Sequence, residues 1–275
     1  MNKRKFHFSF AYLFAAAWFL LTIFPLYVTF LSSVKDNDGI NLGMFRWPDR
    51  FLWSNYAKAI NDAHILRAIF NSVFVAFAST ALVILVCMFA AYVLARKTFK
   101  LNNFIYGLFM LGVMIPIHST IIPISGIATS LGAKDTFWFL ILTYTAFNLS
   151  QGIFLFTGYL CSIDRDLDEA AIIDGCGDFK LVTRILMPVC LPIISTEAIL
   201  SFIFGYGELI FSMILLSNES KYTVSRAMLT FQGAYRVDLG PIFASIILVV
   251  IPMIVIYVLF HEKVQSDMMT GSVKG

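Results

Sequence analysis

The sequence has little charge and few cysteines. Only 13% of its 275 residues are Asp, Glu, Lys or Arg, whereas 59% are hydrophobic and the mean hydropathy is +0.81. Soluble domains carry about 25% charged residues, and so small a polar share cannot cover the surface of a soluble domain. The four cysteines have no C-x-x-C spacing, so we interpret them as small apolar fillers rather than as a disulfide scaffold. These absences together predict a membrane protein.

Motifs for chemistry are also missing. There is no G-x-x-x-x-G-K-S/T run, so any ATP hydrolysis must take place on another chain. The four histidines are widely separated, and none has the spacing of metal ligands. The net charge of +3 is too small to suggest a nucleic-acid partner. We therefore expect no catalytic residues, no metal and no cofactor on this chain, which is predicted not to be an enzyme.

Long apolar runs dominate what is present. A helix needs about 20 apolar residues to cross a bilayer, and alternating strands typical of outer-membrane barrels are absent. We therefore predict an all-α polytopic fold in which residues 1–275 form a single transmembrane domain. The six predicted spans are 10–31, 69–95, 104–125, 137–160, 191–216 and 242–260.

The distribution of positive charge predicts the orientation of the chain. Lysines and arginines precede the first span and lie between the second and the third, and short loops with such charge face the cytoplasm. These residues are Lys3, Arg4, Lys5, Arg96, Lys97 and Lys100. With six spans, both termini are then cytoplasmic, a long loop at 32–68 is external, and the loop at 161–190 is cytoplasmic.

The external loop carries an aromatic set with two interpretations. Trp47, Trp53 and Tyr56 are typical of side chains that anchor a loop at the membrane interface. They also occur on surfaces where an extracellular protein docks, although interface anchoring is the simpler interpretation. The sequence leaves both interpretations open.

The cytoplasmic loop is polar and patterned. Six of the 17 acidic residues lie between Ser162 and Pro188. Asp166 and Glu169 resemble a capping box, Gly175 can take a left-handed conformation that ends a short helix, and Asp178 can cap a second one. Leu167 with Ile172 or Ile173 supplies an apolar patch. An apolar patch among carboxylates predicts a protein partner with basic groups rather than an anionic lipid surface.

At this loop the sequence resembles a known family. Glu169-Ala170-Ala171, Asp174-Gly175, Ile185 and Pro188 are similar to the EAA loop of permease subunits in bacterial ABC importers. Further motifs along the chain resemble the MalG-like carbohydrate branch, which depends on a binding protein. They are Asn71-Ser72, Ala90-Ala91-Tyr92 with Arg96, Met114-Ile115-Pro116, Ile122-Pro123 and the ending Gly271-Ser272-Val273-Lys274-Gly275.

The resemblance implies a type I ABC importer permease bundle in a bacterial inner or plasma membrane. Its implied partners are a second related permease, an ABC ATPase dimer that binds ATP and Mg, and an extracellular or periplasmic solute-binding protein, with a carbohydrate as substrate. The C-terminal residues Gly271 and Lys274 are implied to touch the ATPase. The residues implied in ATPase coupling are Asp166, Glu169, Ala170, Ala171, Ile172, Asp174 and Gly175.

Two other assignments of function stay open at this point. One is a permease of an ABC importer for a substrate other than sugar. The other is an autonomous channel or ion-coupled transporter, which should show paired charges near the middle of the membrane.

Polar residues inside the predicted spans are candidates for a pathway or gating role, since they are costly there. We expect Glu197 to face the headgroups and Glu208 to face a cavity, a partner subunit or a basic group. Tyr144, Asn148 and Gln151 form a stripe that suits either interhelical hydrogen bonds or sugar contact. Tyr206-Gly207-Glu208 stands where the family usually has a Trp-Asn-Glu-like triplet, which makes Tyr206 a further candidate.

Overall fold

The computed structural model describes residues 2–233 and 237–271, and these residues are mostly helical. They contain no strand beyond one isolated bridge between Gln232 and Val237, so the predicted all-α class is confirmed. The α-helices are α1 (Asn2–Ser33), α2 (Asn37–Leu42), α3 (Ser54–Asn61), α4 (Ile65–Arg96), α5 (Asn102–Met114), α6 (Ile121–Ser130), α7 (Phe137–Ser162), α8 (Asp166–Ile173), α9 (Asp178–Lys180), α10 (Met187–Val189), α11 (Leu191–Gly207), α12 (Ile210–Leu215), α13 (Val224–Met228) and α14 (Leu239–Gly271).

Three helical segments are long and apolar enough to cross a membrane: Tyr12–Ser33, Ile65–Arg96 and Phe137–Ser162. Two bent pairs each qualify when taken together, Asn102–Met114 with Ile117–Ser130 and Asp178–Val189 with Leu191–Gly207. The apolar segment Leu239–Val255 is shorter than a full span. The described residues thus supply three to five candidate spans, and the count of six stays a prediction.

The predicted third span, 104–125, is not one straight helix. α5 stops at Met114, and the chain resumes as a 3-10 turn at Ile117–Thr120 with a bend of 95° between the two helical parts. Ile115 is extended, with ψ 121°, because it precedes Pro116 and a proline disfavours helical geometry in the residue before it.

The predicted fifth span, 191–216, is also interrupted. α11 ends at Gly207, Glu208 is extended with ψ 128°, and α12 begins at Ile210. At the other end of α11, the bend of 82° falls between Pro188 and Pro192, as the two prolines predict.

The described contacts divide the chain into two compact units. The first comprises Met1–Leu66 and Ala227–Val255. In it, Asn55 Nδ2 donates to the carbonyl oxygens of Ser33 at 2.9 Å and Lys35 at 2.8 Å, which satisfies acceptors left free at the end of α1. Gly240 approaches the same place so closely that a Cβ there would lie 2.6 Å from the Lys35 carbonyl oxygen.

The second unit comprises Arg67–Arg226 and Ile256–Gly275. Its core lies between α4 and α7, where Val83, Cys87 and Met88 pack with Ile153 and Phe156. A second cluster joins α7 to α6 and α12 through residues such as Leu140, Ala128 and Phe211. The loop that carries α8 closes the first cluster, since Ala171 and Leu181 are buried in it.

Candidate coupling loop and polar groups in the membrane helices

The short helix α8 begins at Asp166 without the predicted capping box. Its N-cap is Arg165, which makes no side-chain cap, and Asp164 Oδ1 instead accepts from the backbone N–H of Asp166 at 3.2 Å. Arg165 already has helical backbone geometry, so the helix start lies one residue earlier than a cap at Asp166 requires. Three carboxylates, Asp166, Asp168 and Glu169, still lie in the first turn, where they favour the helix dipole.

Gly175 ends this helix as predicted. Its φ is +81°, a left-handed conformation that glycine adopts without steric cost. The following backbone N–H of Cys176 donates to the carbonyl oxygen of Ala171 at 3.0 Å, which closes the end of α8.

Most residues expected to reach a partner are on the surface of the chain. Asp166, Glu169, Ala170, Ile172, Asp174 and Gly175 are exposed, whereas Ala171 is buried in the core. Next to them Ile173 is 85% exposed and Phe179 is also exposed. The loop therefore presents apolar side chains among carboxylates on one side and fixes itself to the fold through Ala171 on the other.

A buried ion pair holds the loop against the end of α4. Arg96 Nε lies 2.6 Å from Asp168 Oδ2, with side chains 6% and 11% exposed. The contact is a close charge pair rather than an aligned hydrogen bond, because Arg96 Nε has no hydrogen-bond partner. Arg96 Nη2 donates separately to the Ile163 carbonyl oxygen at 3.1 Å. Arg165 in turn donates to the Ala95 carbonyl oxygen at 3.3 Å.

A second contact fastens the loop further along. Asp178 accepts from Tyr92 Oη at 2.7 Å and from Lys97 Nζ at 2.8 Å. The predicted cap by Asp178 is wrong: Gly177 is the N-cap of α9, and the Asp178 carboxylate is turned to α4. The hydrogen bond from Lys97, followed by that from Tyr92, lowers the pKa of Asp178 below its ordinary value, and the same contact raises the pKa of Lys97.

The sequence did not predict these two contacts between the loop and α4, Arg96–Asp168 and Asp178 with Lys97, which together are called the clamp below. Asp168 was counted only among the acidic residues of the loop and Asp178 was expected to cap a helix, although Arg96 and Lys97 were placed on the same side of the membrane. Opposite charges in two loops of one membrane face are the signal that could have suggested the pairing. The spacing alone does not say which acid meets which base.

The Asn71-Ser72 motif has a comparable role at the other end of α4. Asn71 Nδ2 donates to the carbonyl oxygens of Ser220 and Tyr222, both at 3.0 Å. Ser72 Oγ accepts from the backbone N–H of Val224 at 2.9 Å. The segment after α12 is therefore held to the start of α4 through backbone atoms.

Glu197 does not face the headgroups. It is fully buried, and Ser201 Oγ donates to its Oε1 at 2.6 Å. α11 packs so closely on its neighbours here that a Cβ on Gly152 would lie 2.6 Å from Cys87 Sγ and 3.4 Å from Glu197 Oε1. The expectation was wrong because this side of α11 packs on α4 and α7 rather than against the membrane surface.

Glu208 fixes the break between α11 and α12. Its carboxylate accepts from the backbone N–H groups of Phe211 at 3.0 Å and Ser212 at 3.2 Å, and from Tyr144 Oη at 2.8 Å. On the other side of the break, Ser225 Oγ donates to the Gly207 carbonyl oxygen at 2.9 Å. These three backbone groups at the interruption thus have partners inside the protein, which lowers the cost of a break in a nonpolar environment.

The other pathway candidates do not gather around Glu208. Asn148 is buried and donates to the Tyr144 carbonyl oxygen of its own helix at 2.8 Å. Gln151 is exposed, and Tyr206 is buried against Phe202 with ring centroids 5.9 Å apart. Of the C-terminal candidates, Gly271 is the last residue of α14, and Lys274 lies outside the described residues.

Comparisons with known proteins show which family the chain resembles. The family described as "Binding-protein-dependent transport system inner membrane component" matches residues 84–269. The diacetylchitobiose uptake system permease protein of Streptomyces coelicolor is 30% identical, over 93% of this chain and 85% of its own length. The multiple sugar-binding transport system permease protein of Streptococcus mutans is 29% identical, over 99% of both chains.

One solved structure has the same fold. It is a chain of a bacterial ABC transporter involved in the import of the acidic polysaccharide alginate. The TM-score is 0.78 with 18% sequence identity, over 95% of this chain and 98% of that chain.

Proposed function

Because the chain belongs to the family of binding-protein-dependent transport system inner membrane components, we propose that it is the permease subunit of an ATP-driven importer for a sugar or oligosaccharide. The substrate class is supported by its relatives, which are named for diacetylchitobiose uptake and for multiple sugar transport. The chain itself carries out no hydrolysis in this proposal. Its task is to form the pathway and to respond to an ATPase.

The partners follow from this role. A second related permease completes the pathway across the membrane, and a solute-binding protein delivers the sugar from outside. An ABC ATPase dimer, which binds ATP and Mg, docks on the cytoplasmic face. The loop 161–190 is the docking element, and Gly271 and Lys274 add a contact at the C-terminus.

One observation supports the coupling assignment: α8 is exposed on one side and held to the rest of the fold on the other. Glu169 and Ile172 are exposed, and Ile173 is almost fully so. A cleft with basic groups and an apolar seat would take this surface, since both charge and shape are complementary. The exposed Asp166, Ala170 and Asp174 lie beside the contact, and Gly175 provides its turn.

The clamp makes the loop a lever on three helices. It is covalently continuous with α7 and leads into α11, and the Arg96–Asp168 and Asp178–Lys97 contacts join it to α4. When the ATPase dimer closes on ATP, displacement of α8 moves these helices together, because packed elements shift as bodies. ATP closure thereby alternates access to the pathway.

The polar candidates within the spans receive distinct roles in this proposal. Glu208 and Tyr144 hold the break between α11 and α12 in one backbone conformation. This break is proposed to act as the gate of the pathway. Asn148 supports Tyr144 from the next turn. Gln151, which is exposed, is proposed to line the pathway, and Tyr206, which is buried at the end of α11, is proposed to act in gating.

Two substitutions on α8 and its turn test the coupling. Glu169→Lys reverses the charge offered to the ATPase, and Gly175→Asp forces a side chain into φ +81°. Both variants should insert into the membrane, lose ATPase co-purification and stop sugar uptake. Glu219→Lys is the matched control, since Glu219 is also exposed but lies in the predicted external segment. Normal co-purification and uptake in both α8 variants would overturn the assignment.

A further inference from the structure

The segment between α2 and α3 displays a ladder of aromatic rings. The centroids of Trp47 and Phe51 are 5.9 Å apart, those of Phe51 and Trp53 are 6.2 Å apart, and those of Trp53 and Tyr56 are 5.8 Å apart. Trp47, Phe51 and Trp53 are exposed in spite of these ring contacts, of which only the Phe51–Trp53 pair is stacked. Such a contiguous exposed aromatic surface is uncommon in water and marks a contact with another phase or molecule.

The ladder is fixed at one end to the end of α1. Tyr56 Oη and Ser33 Oγ form a hydrogen bond of 2.8 Å, and the backbone N–H of Leu52 donates to the Val34 carbonyl oxygen at 2.8 Å. Lys35 Nζ donates to the carbonyl oxygens of Gly43 and Met44 at 3.2 and 3.1 Å, which ties the start of the segment to the same place. The segment therefore has a defined position relative to α1.

At its other end the segment turns back along α1. The Phe45 ring stacks on Phe24 with a centroid distance of 5.4 Å and an interplanar angle of 23°. Phe24 lies within the candidate span Tyr12–Ser33, nine residues before its end. At 1.5 Å per residue, the Phe24 position is about 13 Å of helix below Ser33. Phe45 thus reaches the depth of residues that face a bilayer.

The composition of the segment suits lipid. Leu42, Phe45 and Trp47 present large exposed apolar groups, whereas protein contacts between membrane helices favour small residues. Arg46 and Arg50 outnumber the one acid, Asp49, in the same stretch, and arginines beside tryptophans are typical of the level of lipid phosphates. A water-soluble receptor cannot reach the depth of Phe24. The position of Phe45 therefore favours membrane anchoring over protein docking as the role of these aromatic residues.

We propose that the segment 42–53 lies on the leaflet at the Ser33 end of α1, with its aromatic side chains inserted and Asp49 facing water, and anchors this loop to the lipid surface. Phe45 and Trp47 enter the acyl region beside Phe24, and Arg46 and Arg50 meet phosphate groups. Under the predicted topology this leaflet is the outer one. The anchor holds the end of α1 at a fixed height in the membrane, independently of what the chain transports.

Spin-label accessibility in the assembled complex tests this anchor. Labels are placed at Phe45→Cys, Trp47→Cys and Asp49→Cys after Cys161 and Cys176 are replaced by serine; Cys87 and Cys190 are buried. The complex is reconstituted in phosphatidylethanolamine and phosphatidylglycerol. Collision rates are measured with oxygen, which concentrates in lipid, and with a water-soluble nickel chelate. Asp49, whose side chain is 81% exposed, is the matched control.

We expect the collision rate with oxygen to exceed that with the nickel chelate several-fold at positions 45 and 47. At position 49 we expect the collision rate with the nickel chelate to be the higher one. Nickel access at position 45 equal to that at position 49 would place the segment in water and overturn the anchor. Low access of both reagents at 45 and 47 would show that a partner subunit covers them, which also overturns it. A loss of label mobility only after the solute-binding protein is added would show that this surface docks a protein, and it would also overturn the anchor.

Discussion

At the scale of single residues, the Arg96–Asp168 pair is a buried ion pair whose loss should be measurable. Both side chains are almost fully buried at 2.6 Å, so removing one charge leaves the other without compensation. Breaking such a pair costs roughly 3–5 kcal/mol. We predict that Asp168→Asn lowers the melting temperature of the detergent-solubilised chain by several degrees.

The control for this prediction is Asp166→Asn on the same helix, because Asp166 is exposed. It should melt within a degree or two of the unmodified chain, as surface substitutions do. The charge exchange Arg96→Asp with Asp168→Arg should recover part of the loss. Equal melting of the Asp168→Asn and Asp166→Asn variants would show that the buried pair contributes little.

The Asp178–Lys97 contact makes a prediction about pH. The pKa of Asp178 is held below 3.8, so its stabilising effect is complete at neutral pH and is lost as the pH falls through the lowered value. The pKa of Lys97 is raised above 10.5, so its contribution is lost only as the pH rises through that raised value. The melting difference between the unmodified chain and Asp178→Asn should stay constant across neutral pH and shrink only in strong acid or base.

Differential scanning fluorimetry over a pH series measures this difference. A difference that changes between mildly acidic and mildly basic buffers would contradict the assignment of both groups as charged partners. Lys100→Gln is a useful reference, because Lys100 is exposed at the same end of α4.

The sequence correctly predicted that Gly175 ends α8, whereas the capping roles that it predicted for Asp166 and Asp178 were not observed. A left-handed residue after a short helix is a local requirement, and glycine meets it by itself. The capping role expected of Asp178 was wrong because its carboxylate accepts from Lys97 and Tyr92 instead of capping its own helix. Asp166 does not cap because α8 already begins at this residue. The proximity of Lys97 to Asp178 depends on the tertiary fold, which the local sequence does not specify.

At the scale of elements, the turn between α8 and α9 offers a matched pair of glycines. A Cβ would meet no atom within 4 Å at Gly175 or at Gly177, and only Gly175 has a positive φ. Left-handed geometry costs an L-residue about 1–2 kcal/mol. We predict that Gly175→Ala weakens ATPase co-purification and uptake, whereas Gly177→Ala leaves both unchanged. Equal ATPase co-purification and uptake in the two variants would show that the left-handed turn at Gly175 does not contribute to coupling.

Helix packing at α7 gives a second matched pair. A Cβ on Gly152 would lie 2.6 Å from Cys87 Sγ on α4, and a Cβ on Gly158 would meet nothing within 4 Å. We predict that Gly152→Ala lowers the melting temperature and that Gly158→Ala does not, since alanine favours a helix over glycine. An unchanged Gly152→Ala melt would mean that α4 and α7 separate at little cost.

The interrupted helices show which features of the helical elements could be predicted from the sequence and which could not. The apolar runs identified the helices, because their length is set by the bilayer. The break at Pro116 was within reach of sequence reasoning, since proline restricts its predecessor. The break at Glu208 was not, because Gly207 and Glu208 are compatible with a helix until Tyr144 and Ser225 provide partners for the interruption.

At the scale of the whole molecule, the orientation of the chain is testable with a single exposed position. Asn41 is exposed in the predicted external loop, so Asn41→Cys should react with an impermeant thiol reagent in intact cells. The native Cys161 is also exposed but lies at the predicted cytoplasmic face, and it should react only after lysis. Reaction of Cys161 in intact cells, with protection at position 41, would reverse the topology.

The central claim is that α8 seats in an ATPase, and in-cell photo-crosslinking tests it most directly. A photoreactive residue replaces Ile173, which is 85% exposed on α8, or the control Ile122, which is 82% exposed on α6. We predict a crosslink from position 173 to an ABC ATPase subunit and none from position 122. A transport-competent complex in which position 173 gives no such crosslink would contradict the account.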